Sequence, residues 1–497
     1  MDGSTQMSQP PGRDSFPAER RYRIVDQISS VLLVLALIYW AAFVIFVSPL
    51  AFRGQSEDFT TYYAAALALR QHASANIYDL SLLHQVATGR GCPGYFAGYL
   101  YPQALAILLE PLTLLPCNFA SGFWMLLNVA LWLASALLLA RWIPSILPAN
   151  PSAPWNRWMW RGIIVLCLIS VPLIDALILG QANFIVLFGL VLVPWLIQRD
   201  RPILAGGVLA LIALVKVLPA FLILYYAARG RWRVIIGASL SGGLLLVLTL
   251  VIVGLPNTLS SFAHLFSWGL DSDPPHNEAL AQLPLWLTLS SGGQPDQWTR
   301  LLMTLLQGLV ALAFGAGVVA TLRLRPTRPS LSESGLPRQS ALDDMLGYGW
   351  ATCTMFLLAP LVWFHYNGWL LIPLLCALGV TLRCLPLRQT WVFVCLLAVA
   401  AFLITVPLPF DVDNVGIHAQ TPVLLGIPLW LVLLLTRPLG TLLLWGILYW
   451  LWWRVGSATN ALTATGSGSL PGEPRASRSV ARQSQRQKSH QTRFANK

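Results

Sequence analysis

Apolar residues fall along this chain in repeated runs of about 15 to 25, separated by short polar breaks, the length that crosses roughly 30 Å of hydrocarbon. The pattern predicts an all-α polytopic membrane protein with about 11 to 13 transmembrane helices. Residues 1–28 are polar and precede a run from Ser29 to Pro49, too long for the apolar part of a signal peptide. That run is read as a retained first span after a cytoplasmic segment. Residues 29–455 then form the transmembrane domain, and 456–497 a disordered basic cytoplasmic tail.

The breaks sort by charge. Basic ones are Arg20-Arg21-Tyr22-Arg23, 141–161, Arg199-Asp200-Arg201, 229–233, 323–338 and 383–388. Between them lie breaks without Lys or Arg at Gly180-Gln181, at 364–367 and at 408–420, and a large loop over 255–299. Positive charge marks cytoplasmic loops, so this alternation puts the N-terminus inside and a long first loop, 51–101, outside. Three segments fit less simply. Residues 102–116 are short, with Glu110 and three prolines, and read as re-entrant or interfacial. Residues 202–228 carry Lys216 and Pro219 near their middle and read as two half-helices meeting inside protein. A single crossing by 438–455, after Arg437-Pro438, would put the basic tail outside.

Composition narrows the class. The 497 residues are 56% hydrophobic and 10% charged, with mean hydropathy +0.64, against about 25% charged for a soluble domain. Lipid must therefore solvate much of the surface. The net charge of +12 lies largely in the tail, where seven basic residues from Arg475 to Lys497 face only Glu473. Anionic lipid headgroups suit such a tail, and no nucleic-acid partner is expected. The seven cysteines show no metal-ligand spacing and no disulfide framework. Cys92 pairs only if its loop brings it to another thiol, and it is expected unpaired. There is no glycine-rich phosphate loop and no Walker lysine, so a soluble nucleotide-sugar fold is unsupported. A lipid-phosphate donor arriving within the membrane needs none.

The polar residues supply candidates. In the first outer loop, Ser56-Glu57-Asp58-Phe59-Thr60-Thr61-Tyr62-Tyr63 opens a helical pattern, with Ser56 or Asp58 as its cap. An amphipathic helix on the outer membrane surface is expected there, and a second short helix near Asp79. Asp58 either serves only as a cap and helix-dipole group or meets a lipid-borne substrate. Lys216, an ionisable group within an apolar stretch, needs a partner. Asp175 precedes Gly180-Gln181-Ala182-Asn183, read as either a headgroup-binding cluster or structural pairing. His365 lies in an aromatic stretch, Trp363-Phe364-His365-Tyr366-Asn367. Asp271, Asp273, His276, Asn277 and Glu278 sit on the large loop.

At Asp58-Phe59-x-x-Tyr62-Tyr63 the chain begins to resemble glycosyltransferase family 87, the polyprenol-phosphate-mannose-dependent mannosyltransferases of the GT-C fold. The likeness continues through Tyr78-Asp79, Tyr99-x-Tyr101-Pro102, Pro111-Leu112 and Leu115-Pro116. It resumes at Gly180-Gln181-Ala182-Asn183, Ala205-Gly206-Gly207, Lys216-Val217-Leu218-Pro219, Arg231-Trp232-Arg233, Asn277 and His365-Tyr366. The ordered set covers roughly residues 25–385. Gln103 stands where a second proline is more usual, and similarity is weak after about residue 385.

The resemblance implies a GT-C-like bundle in the cell membrane that transfers a sugar, expected to be mannose, from a polyprenyl-phosphate donor. The acceptor would be a glycan or glycolipid hydroxyl at the extracytoplasmic face, and the transfer inverting. It implies Asp58 as the general base. His365, Lys216, Gln181 and Asn183 are the donor or phosphate candidates, with Arg53 and Arg70 as further cations. Tyr62, Tyr63 and Asn277 are candidates for the sugar or acceptor, and Tyr101 is read as an interface anchor. No metal or cofactor is expected. Alternatives are a transferase for another lipid-linked hexose or pentose, and a transporter or flippase, which would also contain a broken helix.

Overall fold

In a computed structural model the described residues are 15–71, 76–90, 92, 98–147, 154–271, 277–291, 293–324, 337–406, 423–424 and 427–466. Two compact units divide at Trp452, Met1–Trp452 and Trp453–Lys497. Among the described residues the regular elements are helices apart from one antiparallel pairing of two residues each, β1 (Val423–Leu424) with β2 (Ile427–Pro428).

Helix α1 (Ser15–Phe52) starts ahead of the apolar run and turns an exposed apolar flank outward. Phe46 on that flank is 77% exposed, as is Val251 on α11 (Trp232–Val253). Faces of this kind are lipid-facing in a chain with so few charges.

The first loop departs from the expected surface helix. Helix α2 (Glu57–Gln71) is buried at every position from Phe59 to Leu69. Its middle offers alanines, threonines and two tyrosines but no charge, and a helix without a polar face is packed on all sides. After it, α3 (Leu80–Thr88) is capped by Asp79, whose side chain accepts from Ser81 N at 2.9 Å and Leu82 N. Those bonds, with one from the Ser81 hydroxyl, hold the Asp79 carboxyl below its usual range. Helix α4 (Gln103–Leu109) and a 3-10 turn, Glu110–Leu114, fill the segment read as re-entrant or interfacial. Seven helical residues reach only about 10 Å. A disulfide joins Cys92 to Cys117 at the head of α5 (Cys117–Ile146), correcting the expectation of an unpaired thiol.

Helices α6 (Pro154–Leu168) and α7 (Val171–Leu179) form a pair bent by 44°. Then come α8 (Asn183–Gln198), α9 (Pro202–Val215) and α10 (Phe221–Ala228). The break foreseen at Lys216 is present: α9 ends at Val215, Lys216 is extended, and a 3-10 turn over Leu218–Ala220 restarts the helix. Helix α9 packs closely on α11, because Gly206 meets the backbone of Val234 and Gly237 that of Ile203, where any side chain would clash.

The large loop is itself helical, with α12 (Leu255–Asp271) and α13 (Leu283–Ser290). Asp273 and His276 lie outside the described residues, and so does the break at 408–420. Helices α14 (Gln297–Leu324), α15 (Pro337–Leu358), α16 (Leu371–Cys384), α17 (Leu387–Thr405) and α18 (Leu429–Gly466) complete the chain. Helix α18 runs past residue 456; the rest of the expected tail lies outside the described residues.

Seven described helices, or eight with the bent pair, are long and apolar enough to cross a membrane, against the eleven to thirteen expected. Five further apolar helices have only 10–17 residues, at most about 25 Å at 1.5 Å per residue. Several of the apolar runs are therefore divided into short pieces.

Breaks of the same charge class lie together. Arg161, closing one basic break, pairs with Asp26 near the head of α1 at 2.7 Å. Arg229 pairs with Asp343 at 2.5 Å and Arg231 with Asp344, joining the 229–233 break to the start of α15. Two of the uncharged breaks, Gly180-Gln181 and 364–367, meet elsewhere, where Asn183 bonds His365.

Candidate functional site

Four chain breaks supply the site: the head of α2, the α7–α8 turn, the α9–α10 break and a 3-10 turn over Phe364–Leu370. The α7–α8 turn is possible because Gly180 adopts left-handed backbone, φ 70°. A methyl there would lie 2.9 Å from Ser56 Cβ and 3.1 Å from Phe59 Cβ, so the turn rests directly against the first turn of α2. Helix α5 holds the turn from behind: Trp124 Nε1 donates to Gly180 O at 2.7 Å and Asn128 Nδ2 to Gln181 O at 3.1 Å. Neither residue stood out in the sequence, because each reads as one more member of an apolar span.

Gln181, fully buried, is the hub. Its Nε2 donates to Asp58 Oδ2. Its Oε1 accepts from Lys216 Nζ at 3.1 Å and from the Tyr101 hydroxyl at 2.9 Å, with the Tyr62 hydroxyl 3.0 Å away. The two phenols touch each other at 2.7 Å. Asp58 is half-buried at the head of α2, and its Oδ1 has no hydrogen-bond partner among the described residues.

Lys216 sits at the helix break because extended backbone there turns its side chain inward. It is 4% exposed, and Nζ donates to Asn183 Oδ1 at 2.6 Å as well as to Gln181. The ammonium also lies 3.8 Å from the Tyr366 ring centroid, with the Tyr101 and Trp369 rings at 5.2 and 5.7 Å. An aromatic cage of this kind partly compensates the desolvation of a buried cation.

His365, 5% exposed, stands beside this cage. Its Nδ1 lies 3.6 Å from Asp175 Oδ2, while its Nε2 has no partner among the described residues. Asn183 Nδ2 donates to His365 O at 2.9 Å, fastening the 3-10 turn to α8.

Most of the expected residues therefore converge: Asp58, Tyr62, Gln181, Asn183, Lys216 and His365. Tyr101 joins them, correcting its reading as an interface anchor; it is 4% exposed and bonded within the network. Tyr63 points elsewhere, donating to Leu115 O at 2.8 Å. Asn277 brackets the chain before the 3-10 turn: its Nδ2 donates to Pro360 O at 2.8 Å and its Oδ1 accepts from Val362 N at 3.0 Å. Arg70 is exposed and bonds Thr113 at 3.2 Å, and Arg53 is exposed at the end of α1.

One support was not foreseen. Glu278 and Arg437 of α18 form an ion pair at 3.1 Å, with both side chains 2% exposed. Asn367 Nδ2 donates to the other Glu278 oxygen at 2.9 Å, linking the pair to the turn that carries His365.

Residues 99–334 match the model of glycosyltransferase family 87, just under half of the chain. The match agrees with the resemblance carried by the sequence motifs. With the spans described above, the match implies a membrane glycosyltransferase. No curated protein and no solved structure gives a significant match. The matched stretch holds Tyr101, Gln181, Asn183, Lys216 and Asn277, while Asp58, His365 and Arg437 lie outside it.

Proposed function

We propose that this glycosyltransferase moves a sugar, mannose in the first instance, from a polyprenyl-phosphate donor to a hydroxyl of a glycan or glycolipid. The transfer takes place on the extracytoplasmic side of the cell membrane, with inversion. The observation that carries the reading is the half-buried Asp58 carboxylate, one oxygen held by Gln181 and the other unengaged among the described residues, at a junction of buried polar groups within a membrane protein.

In this reading Asp58 Oδ1 takes the acceptor's hydroxyl proton as that oxygen bonds to the anomeric carbon. The bond from the anomeric carbon to the phosphate oxygen breaks, and the lipid phosphate leaves with the electron pair. The negative charge developing there needs donors fixed in advance. His365 Nε2 is buried, unpartnered among the described residues and oriented through Asp175, and so suits that role. Tyr62 lines the same junction and is assigned to the sugar. The sidedness rests on the charge alternation of the breaks.

The test is reconstitution of the purified protein in vesicles with a short polyprenyl phosphomannose and a mannoside acceptor. Native protein is expected to form product, and Asp58→Asn to lose at least about a hundredfold in kcat while still binding donor. Full turnover by Asp58→Asn would remove the base. Product only from a polyprenyl-phosphate pentose or another hexose would replace mannose.

A further inference from the structure

The sequence groups Lys216 with the phosphate-binding candidates, but its contacts point the other way. An ammonium has three N–H donors and no acceptor. Two of them meet Asn183 Oδ1 at 2.6 Å and Gln181 Oε1 at 3.1 Å, and the Tyr366 ring takes the remaining side at 3.8 Å. No direction is left for a phosphate oxygen. The side chain is also 4% exposed, so contact with a donor would require its present bonds to break.

The chemistry of its neighbours gives Lys216 a different task. The Gln181 side chain has one end that only donates and one that only accepts. Asp58, once ionised, only accepts; Lys216 only donates. These two requirements select one orientation of the amide, with Nε2 toward Asp58 and Oε1 toward Lys216. Tyr62 and Tyr101 cannot select it, because a phenol both donates and accepts. Without Lys216, the flipped amide would set its oxygen against the carboxylate.

We infer that Lys216 is a positioning residue for the base: by fixing the Gln181 amide, it holds Asp58 Oδ2 so that Oδ1 faces the acceptor hydroxyl. Asn183 completes the device by anchoring the ammonium from α8. The inference rests on Asp58 being the base, as proposed above, and moves Lys216, Gln181 and Asn183 from the donor phosphate to the base. A base displaced by about 1 Å loses on the order of a hundredfold in rate, whereas a lost phosphate contact appears first as weaker donor binding.

The experiment compares Lys216→Met and Gln181→Glu with native protein in the same vesicles. It measures donor dissociation constant and kcat at saturating donor, with elution profile and unfolding midpoint as checks of folding. Gln181→Glu keeps the shape of the side chain and its bond to Lys216 but removes the N–H that Asp58 accepts. It remains informative if Lys216→Met does not fold. Both variants are expected to lose roughly ten- to hundredfold in kcat with the donor dissociation constant within about twofold of native. A donor constant weakened tenfold or more, with kcat at saturation unchanged, would make these residues phosphate ligands and overturn the inference. Activity retained in Asp58→Asn would instead overturn the parent reading, and that variant is assayed alongside so that the two failures are told apart.

Discussion

Replacing Arg437 with methionine removes one half of a buried ion pair and strands the other. Glu278 would keep only the Asn367 bond at 2.9 Å, in a position where its side chain is 2% exposed. An uncompensated buried charge costs about 3–5 kcal/mol. The variant also loses the donors that Arg437 gives to Leu433 O at 3.0 Å and to Val406 O. Arg437→Met is therefore expected to lower the thermal unfolding midpoint in detergent by several degrees, read by scanning fluorescence. If the cost is electrostatic, neutralising the stranded partner must return most of it. The double variant Arg437→Met/Glu278→Gln keeps an acceptor for Asn367 and carries no charge. It should unfold above the single variant, with a coupling of about 1 kcal/mol or more. A single variant that melts with native protein, or a double variant no better than the single, would refute the argument.

Other substitutions test other joints. Gly206→Val pushes a side chain into the backbone of Val234 and should lower the midpoint, whereas Gly243→Ala, with open space around it, should not. Changing both Cys92 and Cys117 to serine opens a link between positions 25 residues apart. The loss should be about 3 kcal/mol, and peptide mapping of the native protein should recover the two cysteines joined. Asp79→Ala removes the α3 cap and should speed amide exchange at Ser81 and Leu82. Since folding lowers the Asp79 pKa, the stabilisation is present at neutral pH. It is lost as pH falls through the folded-state value, so exchange in native protein should approach that of the variant in acid.

Much of this was legible because membranes punish irregularity. Lys216 and Pro219 in an apolar stretch could only mean a break, and a break needs partners. Spacing placed Asp58 only at a helix head, where a cap serves as well; its candidacy as the base came from the family resemblance. Helix phase was less accessible: Tyr62 and Tyr63 are adjacent and alike, yet successive residues on α2 point about 100° apart, and only Tyr62 reaches Gln181. Tyr101 was assigned to the interface because tyrosine is common there, and nothing local distinguishes a phenol packed against a lysine. Glu278 with Arg437, and Cys92 with Cys117, are long-range pairings whose partners no local pattern identifies. Hydropathy records apolar length and is blind to bends, so it did not show where α6 and α7 are bent by 44°.

At Gly180 a lone hydrogen atom is the spacer between the turn bearing Gln181 and the turn bearing Asp58. Both the backbone angle and the neighbouring Ser56 and Phe59 side chains exclude anything larger. The reach from amide to carboxylate is thus set by the thickness of bare main chain, and even alanine would act as a wedge, prising the two apart without altering either group.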